Sequence, residues 1–314
     1  MILQRFKEMG VLGMNARIGK YMLPSNNRKD YPKVDDKVIT SDLAREHNIP
    51  MPENYAVFQT FGRLQNLSDI LRPFKSFVIK PAAGSMGNGI IVIKGSSDDL
   101  FIRSNDEFIT IRDLRYHMAQ ILSGLYSLSG YPDKVIVQYM IQLHPVFDTI
   151  AVNGVPDIRI IVYRGYPVMA MTRLPTIESN GRANLHQGAI GVGIDLLTGI
   201  TRNAVYKSKT IYQHPDTGVP ISGITIPFWE QMVLMAVKGY DMTGLGYLGV
   251  DIALDAEKGP MVLEMNARPG LGIQIANLRG LRKRLELIED LPGEGLPPEE
   301  RISLAMETIR AMNE

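Results

Sequence analysis

The sequence predicts an α+β fold with mostly antiparallel sheets, and three observations carry that expectation. Short β-branched runs come in adjacent pairs split by turn residues, which marks hairpins rather than crossover units. Between the pairs lie stretches with apolar residues three and four apart, the spacing of a packed helix face. The length, 314 residues, corresponds to two domains at roughly 150 residues each.

Taken in order, residues 1–33 read as an irregular segment. Its second half, from Pro24 to Pro32, is polar and turn-forming, and too little apolar sequence is present to build a compact N-terminal domain. Residues 36–47 read as a short helix with Val38, Leu43 and Ala44 near one face, stopped by Pro50 and Pro52, since proline lacks a donor and restricts the residue before it. Residues 77–80 and 90–94 are β-branched runs around a glycine-rich turn, a hairpin with a long loop. Residues 114–128 read as a helix and 134–139 as a buried strand.

Residues 158–163 and 166–174 form another strand pair, joined at Arg164-Gly165. Asp216 and Gly218 suit a tight turn within 211–226. Residues 229–240 carry Met232, Val233, Met235, Ala236 and Val237, the spacing of a packed helix. Strands at 248–254 and 261–266 follow, split by a polar turn. Residues 298–312 read as an amphipathic helix whose acidic start suits the helix dipole.

Composition removes several classes of function. No segment approaches the ~18 uncharged apolar residues that a membrane span needs. The N-terminus mixes charges into its apolar residues, unlike a signal peptide. A formal charge of +1 gives no global electrostatic reason to expect nucleic acid. Cysteine is absent, so disulfides, thiolate metal sites and cysteine nucleophiles are absent too. A cytoplasmic location is the simplest reading. The histidines share no metal-ligand spacing, and the 17 methionines fall mostly at packed positions as core filler.

Two stretches carry chemistry. The first runs from Lys80 to Gly89, with glycines at 84, 87 and 89. Glycines let backbone N–H groups surround a phosphate, and Lys80 at the end of the incoming strand adds a point positive charge. No Lys-Ser or Lys-Thr follows the last glycine, so this is not a Walker loop, and a strand rather than a helix comes next, so it is not a Rossmann turn. The plain alternative is a flexible hairpin tip. The second stretch joins Asp251 to Glu264 and Asn266. Glu264 and Asn266 stand two apart in a strand and share a face, which Asp251 can reach from the neighbouring strand. Two carboxylates and an amide oxygen suit Mg²⁺; the plain alternative is a solvated strand face.

In this order, the motifs resemble those of the ATP-grasp ligases, most closely the RimK-type glutamate ligases and the ATP-grasp proteins associated with sugar transfer. The resemblance covers residues 34 to 275. It implies two α+β subdomains whose antiparallel sheets grasp ATP: 34–140, with the phosphate-covering loop and an insertion near 95–133, and 141–280, with the magnesium site. A C-terminal helical segment, 281–314, follows, and the N-terminal domain of RimK-type enzymes is expected to be reduced or absent.

Residue by residue, Lys37 falls on the first ATP lysine. Lys80 with Gly84, Ser85, Gly87 and Gly89 falls on the second lysine and its loop. Gln138, Tyr139 and Met140 fall on the strand end that clasps adenine. Asn184 lies in a segment similar to the family's Arg-x-Asn-Leu-x-x-Gly-Gly. Arg159, Arg173 and Arg268 fall on basic positions that stabilise reacting charge, and Asp251, Glu264 and Asn266 on the magnesium ligands.

The resemblance implies an ADP-forming carboxylate–amine ligase that adds glutamate to a peptide or protein, or builds poly-glutamate, through an acyl phosphate. Its cofactors would be ATP and Mg²⁺, with two ions expected and Mn²⁺ as a substitute. Its partners would be an amino acid, a peptide or protein acceptor, and a second protomer or partner subunit completing the acceptor site. Two other readings stay open: a non-catalytic ATP-binding scaffold, and a ligase acting on an envelope or polysaccharide precursor. Each basic residue also has an ordinary reading. Lys37 suits a solvated helix charge, Arg268 a turn cap, and Arg159 and Arg173, among apolar strand residues, suit structural ion pairs.

Overall fold

The computed structural model describes residues 8–84, 87–97, 100–127, 130–293 and 295–313. Among them the strands form two antiparallel sheets. The first holds β1 (Asn54–Phe58), β2 (Phe77–Pro81), β3 (Ile91–Ser97), β4 (Leu100–Arg103), β5 (Phe108–Thr110) and β6 (Val135–Gln138), in the order β1-β6-β2-β3-β4-β5. The second holds β7 (Asp157–Tyr163), β8 (Tyr166–Leu174), β9 (Ile190–Ile194), β10 (Thr201–Tyr206), β11 (Lys209–Ile211), β12 (Tyr247–Asp255) and β13 (Gly259–Asn266), in the order β11-β10-β9-β8-β7-β12-β13.

The expected hairpins form. β2 pairs with β3 through Phe77↔Ile93 and Ile79↔Ile91, and all four side chains are buried. They meet the helix Ile111–Leu122, whose Leu114, Met118 and Ile121 recur at helical spacing and are fully buried. That helix starts earlier and stops sooner than its apolar pattern suggests. Thr110 and Asp113 close a reciprocal capping box at its start, and Gly124, at φ +88°, turns the chain away after its end. The β7–β8 turn falls on Arg164 and Gly165, with φ of +49° and +81°, the left-handed pair that a two-residue hairpin needs.

Strands β7 and β12 are buried along their whole length, because both faces of the second sheet are covered. Ile158, Ile160, Val162, Val250 and Ile252 face the helix Trp229–Thr243, together with Ala44 of the helix Lys37–Glu46. The alternate residues Ile161, Tyr163, Met169 and Met171 face the helix Arg282–Glu289 and the N-terminal segment. This second core ends before residues 157, 159, 251, 264 and 266, which occupy the same face further along the strands. That is where a polar row can lie open to a ligand.

Of the segment read as irregular, the described residues 8–33 are mostly helical. It turns through Met14–Ala16, Arg17–Met22 and Leu23–Ser25, then again at Arg28–Asp30 and Pro32–Asp35. The sparse apolar residues Leu12, Tyr21, Met22 and Val34 are all buried, so few contacts suffice because each one is complete. Asn26 locks the segment in place. Its Nδ2 donates to Tyr247 O at 2.8 Å and Ala267 O at 3.0 Å, while Oδ1 accepts from Tyr247 N at 2.8 Å. The substitution Asn26→Ala strands three buried backbone groups and is expected to lower stability by about 3 kcal/mol in urea unfolding; a loss below about 1 kcal/mol contradicts that role.

Candidate active site

The polar row is built by strand register. Asp157 stands opposite Arg173, Arg159 opposite Met171 and Asp251, and Asp251 opposite Glu264. Arg159 grips Asp251 through two parallel bonds, Nε to Oδ1 and Nη2 to Oδ2, both 2.6 Å. Arg173 Nη2 reaches the same carboxylate at 2.8 Å and, with Nε, forks onto Asp157. Two carboxylates and two guanidiniums therefore neutralise one another in a buried net. Burial alone would raise the pKa of Asp251, but Arg159 and Arg173 outweigh it and hold the carboxyl well below the usual range. Burial pushes Asp157 up, Arg173 pulls it back, and the Asp251 charge adds to the rise.

Above this net lie Glu264 and Asn266. Asn266 Nδ2 donates to Asp251 at 3.3 Å and to Glu264 Oε1 at 3.2 Å, so its oxygen is the atom left to face a cation. Glu264 is half-buried and has no ion-pair partner among the described residues. A carboxylate free of an ion pair among the described residues, beside an amide oxygen, fits Mg²⁺, which takes few protein ligands and keeps its waters. Asp251 is 1% exposed and already engaged by two cations, so it supports this pair from beneath. Among the described residues no group of three or more His, Cys, Asp or Glu side chains is gathered closely enough to hold a metal by itself.

The opposite wall comes from the first sheet. Lys37 opens its helix, with Asp36 as the N-cap, and its Nζ donates to Gly84 O at 2.8 Å. The Lys37 backbone N–H donates to Ala82 O at 3.1 Å. Asp133 accepts from Ala83 N, and Lys134 pairs with Asp36 at 2.7 Å, so the base of the glycine-rich turn is pinned from two sides. Lys80 is 8% exposed. Burial, and then the nearby Lys37 charge, push its pKa down to about 7 against the pull of Glu264.

A cleft of about 290 Å³ lies between these walls. Lys37, Gly84, Arg159, Arg173, Asn184, Glu264 and Asn266 line it, so the structure brings together seven of the side chains and backbones that the sequence singled out. Asn184 orders its own loop by accepting from His186 N at 3.0 Å. Gly87 and Gly89 both have φ +75°, and Arg182 from the second sheet's loop approaches Gly87. Ser85 lies outside the described residues.

Four residues are placed differently. Gln138 is buried and donates to Asn54 Oδ1 at 2.7 Å and Pro52 O at 3.2 Å, which ties β6 to its neighbour. Tyr139 OH donates to Asp255 at 3.0 Å beneath Lys258, and Met140 O accepts from Gln142, so this stretch joins the two sheets. Arg268 forks onto Asp35 at 2.9 and 3.0 Å and stacks on Tyr31; Asp35, not Arg268, lines the cleft. The sequence reading named none of Asp157, Asp35 and His186 as site residues, although Asp35 and His186 line the cleft. Asp157 was findable, because it stands two before Arg159 as Glu264 stands two before Asn266.

Two facing antiparallel sheets with lysines on one wall and carboxylates on the other define an ATP-grasp fold. The chain belongs to the sugar-transfer-associated ATP-grasp family, whose model matches residues 16–290. It is also similar to a protein of Haemophilus ducreyi described as a probable alpha-L-glutamate ligase, with 24% identity over 270 residues, covering 86% of this chain and 66% of that one. Among solved structures it is similar to the ATP-grasp ligase PsnB bound to a minimal precursor, at 15% identity, 81% and 61% coverage, and a TM-score of 0.41. It is similar as well to D-alanine–D-alanine ligase from Bacillus anthracis, at 13% identity, 92% and 72% coverage, and a TM-score of 0.43. The chain thus spans just under two thirds of the length of the curated relative.

Two outcomes follow from this geometry. Asp251→Ala leaves Arg159 and Arg173 short of a partner in a buried place and is expected to cost about 3–5 kcal/mol of stability; a thermal melt within a degree of the parent contradicts the net. Burial and the Lys37 charge push the Lys80 pKa down to about 7, and a triphosphate beside it favours the charged form. Calorimetry of MgATP binding in buffers of differing ionisation enthalpy should show proton uptake at neutral pH, falling towards zero at lower pH. Lys80→Met should abolish the uptake, and uptake unchanged in that variant contradicts the assignment.

Proposed function

We propose that the protein is an ATP-dependent, ADP-forming carboxylate–amine ligase. The observation that carries this reading is that Glu264, a carboxylate with no ion-pair partner among the described residues, and Asn266 line one cleft with Lys37 and Gly84, with the buried Lys80 near Glu264. ATP-grasp enzymes use ATP and Mg²⁺, and this cleft has oxygen ligands for the ion on one wall and cations for the phosphates on the other. When bound, magnesium offsets phosphate charge during transfer. Glu264 and Asn266 would hold it, with Asp251 below them.

The chain's own groups account for the remaining steps. A substrate carboxylate attacks the γ-phosphorus and the bond to ADP breaks, giving an acyl phosphate and turning a poor electrophile into a good one. Lys37, Lys80 and Arg173 neutralise charge that grows on the transferring group. An amine then attacks the acyl carbon, phosphate departs, and the amine proton passes to solvent or phosphate. Arg159, whose Nε and Nη2 are taken by Asp251, has Nη1 left to stabilise the tetrahedral oxyanion. Arg268 enters no step in this reading; it orients Asp35.

Glutamate as the amino acid, joined to a peptide or protein, is supported by the description of the Haemophilus ducreyi relative. The sugar-transfer association of the family favours a second reading, in which the same chemistry attaches an amino acid to an envelope or polysaccharide precursor. Both would use ATP, which supports a cytoplasmic reaction. No helix among the described residues is long and apolar enough to cross a membrane. A partner subunit or second copy would complete the acceptor side. Release of ADP with glutamate and panels of peptide and sugar-linked acceptors separates the two readings. Glu264→Gln should reduce magnesium-dependent ADP release by about 100-fold or more with the fold intact. Full activity in that variant refutes the assignment.

A further inference from the structure

The helix Ile111–Leu122 and the residues 123–127 after it have an assignable role, which rests on the nucleotide reading of the cleft. We propose that His117 and Tyr126 form a clamp on Gly89, the trailing end of the glycine-rich turn, complementing the Ser127 bridge that holds Gly84 at its leading end, and that His117 is a positioning residue for the phosphates. The residues that follow the helix Ile111–Leu122 double back along the turn. Gly84, at its leading end, forms an isolated antiparallel bridge with Ser127. Gly89, at its trailing end, gives its carbonyl to His117 Nε2 at 2.8 Å and lies against the Tyr126 ring.

The fit at Gly89 leaves no room for a side chain. Its φ is +75°, and an added Cβ would come within 2.7 Å of Tyr126 Cγ. The two clamp residues also support each other. Their rings stand 5.4 Å apart at 43°, and Tyr126 OH donates to Gln120 Oε1 at 3.4 Å on the same helix. A carbonyl partner requires the proton on Nε2, and burial lowers the pKa of His117, so the neutral ring is the donor. The physical effect is preorganisation: a turn already held at both ends loses less conformational freedom when its N–H groups meet a triphosphate.

The test measures MgATP binding by calorimetry on the full chain and four variants, with thermal melting as a fold control. His117→Ala and Tyr126→Ala should each weaken MgATP binding about fivefold or more. His117→Gln, which can still donate to the Gly89 carbonyl, and Tyr126→Phe, which keeps the ring, should stay within about twofold of the parent. If ligation is in hand, KM for ATP should rise in His117→Ala while kcat at saturating ATP holds. Parent-like MgATP affinity in both alanine variants overturns the clamp while leaving the nucleotide site standing. Equal weakening by His117→Ala and His117→Gln overturns the hydrogen-bond role of His117. Failure of the parent to bind MgATP overturns the nucleotide reading and the clamp with it.

Discussion

Asp251 sits on β12, between β7 and the edge strand β13 of the seven-stranded sheet, 1% exposed, with two guanidiniums on its two oxygens. Burying such charges costs several kcal/mol per ion, and only bidentate geometry with every lone pair used can offset it. Strand register supplies the bidentate geometry, setting Arg159 across from Asp251, and Asp157 across from Arg173. An apolar layer would hold the same strands together at no electrostatic cost. What the ionic layer adds is two arginines fixed in direction beneath a cleft, and a carboxylate-flanked amide whose oxygen is turned outward.

The rest of the molecule keeps that layer in register with its opposite wall. The helix Lys37–Glu46 has its N-terminus against the glycine-rich turn and its apolar face in the core of the second sheet, so one rigid element refers both walls to each other. Tyr139, Gln142 and Asp255 tie the end of β6 to the end of β12. Asn26 ties the N-terminal turns to the start of β12 and to Ala267, just beyond Glu264 and Asn266. The ties through Asn26 and Asp255 use buried polar groups, the kind that specify one arrangement rather than merely adding stability.

Much of this was legible in the sequence. The β-branched runs at 77–80 and 158–163 mark strands because such side chains suit a half-buried pleated surface. The two-residue spacing of Glu264 and Asn266 places both on one face, which is where they stand. The resemblance to ATP-grasp ligases named the family before any contact was known. Pairing across long separations was less accessible. The partners of Arg159 and Arg173 lie 92 and 78 residues away in Asp251, so the sequence could offer an ion pair only as one of two readings. Gln138 shows the same limit: its place at a strand end is local, but its engagement with Asn54 depends on which strand lies beside it. The N-terminal turns escaped notice because four buried apolar residues spread over 23 positions make no periodic pattern.

A crystal structure with a non-hydrolysable ATP analogue and Mn²⁺, located by its anomalous signal, tests the central claim most directly. The account places the ion on Glu264 and Asn266, the triphosphate between them and the Lys37–Lys80 wall, and Asp251 still gripped by Arg159 and Arg173. An ion bound elsewhere, or a nucleotide seated with those arginines released from Asp251, contradicts it.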